Sequence, residues 1–142
     1  MYIRWIVRRH KNASTANVVF HDAYLVESFR DVRETPRQRM VCYLGNIRQI
    51  NDEFPAIERE LFLLRAERIL ASTPEVNADD RPAILQMLQQ KVSPLTEAEV
   101  LIAFQNNLRW YRRWWHERGG GAPSPAQIAA LLADADAPLD AL

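Results

Sequence analysis

Near Gly45 the spacing of apolar residues changes from two to about 3.6, and no other feature constrains the fold as strongly. Before that point the text reads as strands. Residues 2–8, YIRWIVR, are rich in β-branched and aromatic types and set Ile3, Trp5 and Val7 on one face. Residues 18–30 read as a long second strand, after a polar loop from His10 to Asn17. Asp31 to Pro36 form a charged turn. In 37–44 strict alternation predicts Met40, Cys42 and Leu44 on one face, with Arg37, Arg39, Val41 and Tyr43 on the other. Gly45-Asn46 is expected to end that strand, and a three-stranded antiparallel meander is the simplest arrangement.

Helical periodicity follows. Pro55 suits a first turn, and Ile57, Leu61, Leu64 and Arg68 recur at helical spacing, with Phe62, Ile69 and Leu70 widening the apolar face. Asp79 or Asp80 can cap a second helix carrying Leu85 and Leu88. Thr96-Glu97-Ala98-Glu99 is a capping box opening a long helix that Gly119 should close. Ser124-Pro125-Ala126-Gln127 opens a short last helix, and the end from Asp134 is expected to fray. The reading is an α+β fold: a three-stranded antiparallel sheet followed by four to five helices. The segments are a basic sheet module over 1–46, a helical part over 47–118, and a glycine hinge with a short helix over 119–142.

Several function classes are excluded by what the chain lacks. Its 142 residues hold four glycines, Gly45 and the run Gly119-Gly120-Gly121, so neither a GxxxxGK(S/T) phosphate loop nor a GxGxxG turn can be written. Cys42 is the only cysteine, which excludes an internal disulfide and suits a reducing compartment. Its alternation with Met40 and Leu44 favours a buried structural thiol over a nucleophile. His10, His21 and His116 are scattered, so no metal site, no cofactor and no catalytic constellation is expected. The apolar runs are too short for a membrane span or a signal peptide, and a cytoplasmic protein without a membrane partner is expected.

Charge is polarised along the chain. Residues 1–50 carry Arg4, Arg8, Arg9, Lys11, Arg30, Arg33, Arg37, Arg39 and Arg48 against Asp22, Glu27, Asp31 and Glu34, a net of +5. The rest is −5, because the whole chain has 18 basic and 18 acidic residues. Arginine's planar fork suits phosphate and base edges. A non-catalytic protein binding nucleic acid, duplex DNA above all, is therefore expected, with Arg4, Arg30, Arg37, Arg39 and Tyr43 on a sheet face. The alternative consumes these arginines in pairing with the acidic helices.

The second unusual stretch is 106–118, NNLRWYRRWWHER. On a helical wheel Leu101, Phe104, Leu108, Tyr111 and Trp115 form one stripe, expected to be core. Trp110 and Trp114 form a second, and Arg109 and Arg113 a third. Interleaved arginine and tryptophan can stack on nucleic acid or anchor a protein partner. The same residues also describe a buried helix with arginine stems covering its rings.

Residues 24–46, YLVESFRDVRETPRQRMVCYLGN, resemble the N-terminal region of DDE-type transposases of bacterial insertion sequences. The matching positions are Leu25, Val26, Glu27, Ser28, Phe29, Arg30, Pro36, Arg37, Gln38, Arg39, Leu44 and Gly45, and the opening Tyr2-Ile3-Arg4 is similar too. The resemblance implies that family's DNA-end-recognising module, associated with a mobile element. It does not imply cleavage or strand transfer, since too little chain follows Gly45 for the catalytic domain.

Overall fold

A computed structural model describes residues 1–9, 17–121 and 123–134. The loop expected from His10 lies, up to residue 16, outside the described residues, as does the segment beyond 134. The architecture is α+β. Strands β1 (Tyr2–Arg9), β2 (Val18–Arg30) and β3 (Pro36–Ile50) form an antiparallel sheet in the order β1-β2-β3. Four α-helices follow: α1 (Ala56–Ser72), α2 (Arg81–Gln89, entered by a 3-10 turn at Ala78–Asp80), α3 (Glu97–Glu117) and α4 (Pro125–Ala133). Two compact units are distinguished, Met1–Val100 and Leu101–Leu142.

In the first unit the helices cover one face of the sheet. Ala23 and Leu25 of β2 and Leu44 and Ile47 of β3 meet Phe62, Ala66 and Leu70 of α1 and Ile84 and Leu88 of α2. Trp5 of β1 packs 5.8 Å from Phe62, ring centre to ring centre. The sheet thus shares its core with α1 and α2, and residues 1–46 have no separate core of their own. Central strand β2 is buried or half-buried from Val18 to Glu27, as a strand with neighbours on both sides should be. The β2–β3 turn is locked by Asp31. Its Oδ1 accepts from the backbone N–H groups of Arg33 and Thr35, both at 2.9 Å, an Asx-type closure.

β3 differs from its expected form in two ways. It runs on to Ile50 instead of ending at Gly45, because Asn46, Ile47, Arg48 and Gln49 continue the ladder opposite Asp22, His21, Phe20 and Val19. It also carries two irregularities. Ala23 pairs with Gly45 and Tyr24 with Tyr43, leaving Leu44 extra; Leu25 pairs with Cys42 and Val26 with Met40, leaving Val41 extra. Each extra residue resets the alternation. Leu44 is therefore fully buried, Val41 and Cys42 lie against the core, and Met40, expected to face inward, is 59% exposed.

The buried face of α1 is also not the expected one. Phe62, Ala66 and Leu70 point inward at intervals of four, while Ile57 and Leu61 are exposed. Small Ala66 lets the helix approach the sheet closely, a benefit that larger residues on the competing face cannot provide.

The ends of α3 and α4 follow their local signals, whereas Asp80, which stands at the N-cap of α2 as expected, makes no side-chain capping bond. Glu99 N–H donates to Thr96 Oγ1 at 3.3 Å, and Thr96 N–H donates to the Glu99 carboxylate at 3.1 Å, which closes the capping box. Arg59 adds a tie to this turn through Glu99 and the carbonyls of Ser93 and Pro94. At the other end Gly119, at φ 65°, takes the left-handed position. Gly120 N–H bonds the Trp115 carbonyl and Gly119 N–H bonds that of His116, the Schellman pattern. Ser124 and Gln127 form a second capping box at α4.

Candidate interaction surfaces

The arginines expected on one sheet face are divided between two. Register and pleat place Arg4, Tyr24 and Tyr43 on the face opposite α1 and α2. Arg37 and Arg39 lie across from Phe29 and Glu27, on the side that carries the core further along the strands. The bulge at Val41 causes this separation, because it moves Met40 to the opposite side. Arg37 pairs with Asp31 at 3.2 Å, Arg39 with Glu27 at 2.6 Å, and Arg30 donates to the Glu34 carbonyl at 3.1 Å. These partners belong to the sheet and its turn. Arg48 pairs with a helix, reaching Glu58 of α1 at 2.6 Å.

The face opposite the helices centres on Asp22, which entered the sequence reading only as one of the negative charges of residues 1–50. It is buried, and it accepts from Arg8 Nε at 2.6 Å and from Tyr43 Oη at 2.7 Å. Burial acts against its charge, but the two hydrogen bonds and the guanidinium together outweigh it and hold the carboxyl below its ordinary range. Burial, followed by the bond to Asp22, pushes the Tyr43 hydroxyl up to about 12. Tyr43 is thus a neutral donor held against Tyr24, with ring centres 5.0 Å apart.

On the core face, His21 Nε2 lies 2.9 Å from Gln49 Oε1 and its ring meets Phe54 edge-on. Burial, which outweighs the Gln49 bond, pulls its pKa down. The unfolded chain therefore binds a proton that the folded chain resists. Stability contributed by neutral His21 is complete above about pH 6.5 and is lost as pH falls below it. Asp22, Asp31 and Glu99 are all held below their ordinary carboxyl values, so their contribution is lost in a second limb below about pH 4. Urea titrations across pH should show both limbs, with the upper one absent in His21→Gln. Stability rising between pH 7 and 5 would contradict the assignment.

The second unit presents its apolar residues outward. None of the side chains of α3 is buried. Most of the stripe expected to be core is uncovered: Leu101 is 63% exposed, Phe104 50%, Leu108 45% and Tyr111 49%, while Trp115 is half-buried. Trp110 is 55% exposed and Trp114 37%. Arg118 lies over the Trp114 ring at 4.2 Å, a cation–π contact that holds the indole upright. Tyr111 and Trp115 sit 6.0 Å apart, and Trp114 meets Trp115 edge to face.

Two recesses flank this stripe. An apolar groove of about 650 Å³ runs between α3 and α4, bounded by Phe104, Leu108, Tyr111 and Trp115 on one side and Ile128, Leu131 and Leu132 on the other. The α4 wall was readable from its apolar positions at 128, 131 and 132. A basic cleft of about 400 Å³ near the end of α3 joins Arg109 and Arg113 with Arg112 and His116. Those last two were missed, although all four recur at i, i+3, i+4 and i+7.

Among the described residues, no three His, Cys, Asp or Glu side chains assemble into a metal-holding group, and no helix is long and apolar enough to cross a membrane. No protein-family model, curated protein or solved structure matches this chain.

Proposed function

We propose that this chain is a non-catalytic interaction protein, in which the sheet unit carries a helical hairpin that docks a protein partner through the α3–α4 groove. One observation carries the reading: a helix of 21 residues with none buried, whose apolar stripe is exposed from Leu101 to Tyr111. An amphipathic helix gains most of its stability by packing that stripe, so a stripe left open calls for a partner. Aromatic and arginine side chains are the usual anchors of such contacts. Quenching of tryptophan fluorescence by acrylamide tests it. In dilute protein, the Trp5→Phe variant removes the indole packed against Phe62 and leaves Trp110, Trp114 and Trp115 as reporters, of which Trp110 and Trp114 should quench readily. Shielded indoles in a dilute monomer would contradict the reading.

A second reading keeps nucleic acid, and the resemblance of residues 2–46 to a transposase module agrees with it. Among the described residues, Arg4, Arg9 and Arg33 have no ion pair, within a segment of net charge +5. Arg4 and Arg9 lie on opposite faces of β1, so a duplex can meet about two such arginines at once, with a log K against log salt slope of about −1.8. A flat salt response would remove this reading.

A further inference from the structure

We infer that the partner of the α3–α4 groove is the same groove on a second copy of this chain, with the two α3 helices antiparallel. The inference rests on the interaction reading and names its occupant. Leu101, Phe104, Leu108, Tyr111 and Trp115 follow one another at intervals of three and four, the spacing that keeps an apolar seam turned toward a partner helix. In α4, Ile128, Leu131 and Leu132 border the same groove. A two-helix hairpin has a seam on one side only. Two such hairpins face to face enclose it in a four-helix bundle, and a two-fold axis lets one sequence satisfy both sides.

Charge sets the direction. In α3, residues 97–107 carry no basic residue and two acids, of which Glu99 is already paired with Arg59, leaving Glu97 as the free charge, a net of −1. Residues 108–117 carry Arg109, Arg112 and Arg113 against Glu117, a net of +2. A parallel pair superposes the arginine-rich halves, whereas an antiparallel pair sets each basic half on the other copy's acidic half. Side-chain size agrees. Antiparallel layers place Phe104 on the second copy's Trp115 and Leu108 on the second copy's Tyr111, while parallel layers stack Trp115 on itself. Seven large apolar side chains, each roughly half exposed, together with the half-buried Trp115 amount to on the order of 700 Å² per copy, near the ~800 Å² a side of a standard interface.

Sedimentation equilibrium of the full chain tests this directly. At tens of micromolar (about the range where such contacts fill) the mass should be twice the 16.5 kDa of one chain. Leu108→Glu on α3 should weaken association by more than about 100-fold by burying a charge in the seam. Leu131→Glu, on the opposite wall, should do the same, and both variants should keep the sheet's circular dichroism. In a Cys42→Ala background, Leu101→Cys mixed with Arg118→Cys, one layer of the antiparallel register, should cross-link between copies, and Leu101→Cys alone should not. Efficient cross-linking of Leu101→Cys to itself would overturn the antiparallel arrangement. A monomer with readily quenched indoles would overturn self-association and leave the interaction reading standing. A monomer with shielded indoles would overturn both.

Discussion

Replacing Phe62 by alanine should remove about 3–5 kcal/mol of stability, the usual loss when a buried phenyl is emptied from a core. Phe62 is 1% exposed and sits where α1 meets the sheet, beside Trp5 and close to Gly45. The Trp5 ring and side-chain-free Gly45 stand beside it, and neither supplies atoms that would refill the space. Urea denaturation of the full chain measures the effect. A loss below about 1 kcal/mol would mean that α1 does not pack as described.

Gly45→Ala should cost about 1–3 kcal/mol through the backbone alone. Gly45 has φ 111°, a conformation that side-chain-bearing residues rarely adopt, and it stands where β3 departs from regular alternation. Space is not the obstacle. An added Cβ would meet only the Phe62 ring edge, at 4.0 Å, an ordinary contact. Gly121→Ala is the control, since nothing lies within 4 Å of its added Cβ and its φ is not positive. It should leave stability unchanged or slightly raised. Equal losses at the two positions would show that the positive φ at Gly45 is not the cause.

The sheet and the helices were legible because their periods differ, and the helix ends because Thr96, Ser124 and Gly119 act within a turn of themselves. The bulges of β3 were not legible. No side chain at Val41 or Leu44 requires an extra residue; the twist of a long hairpin against its neighbour does. That gap moved Met40 outward and divided the arginines, so the expected four-arginine face did not survive. The α1 face was ambiguous because Ile57, Leu61, Phe62, Leu63, Leu64, Ile69 and Leu70 surround the helix almost completely. Only the close approach at Ala66 decides among them. In α3, a stripe waiting for a partner and a stripe buried by its own chain have the same sequence pattern, and only exposure separates them. Asp22 stayed hidden because its partners, Arg8 and Tyr43, come from strands on either side of β2.

Amide hydrogen exchange on the dilute chain tests the central claim most directly. A helix without a packed face has only local stability, whereas a central strand opens with the whole unit. The amides of α3 from residue 105 onward should therefore exchange orders of magnitude faster than those of β2 while the protein is monomeric, and slow when the groove is filled. Protection of α3 equal to that of β2 in a dilute monomer would show that its own chain buries the helix, and would contradict the account.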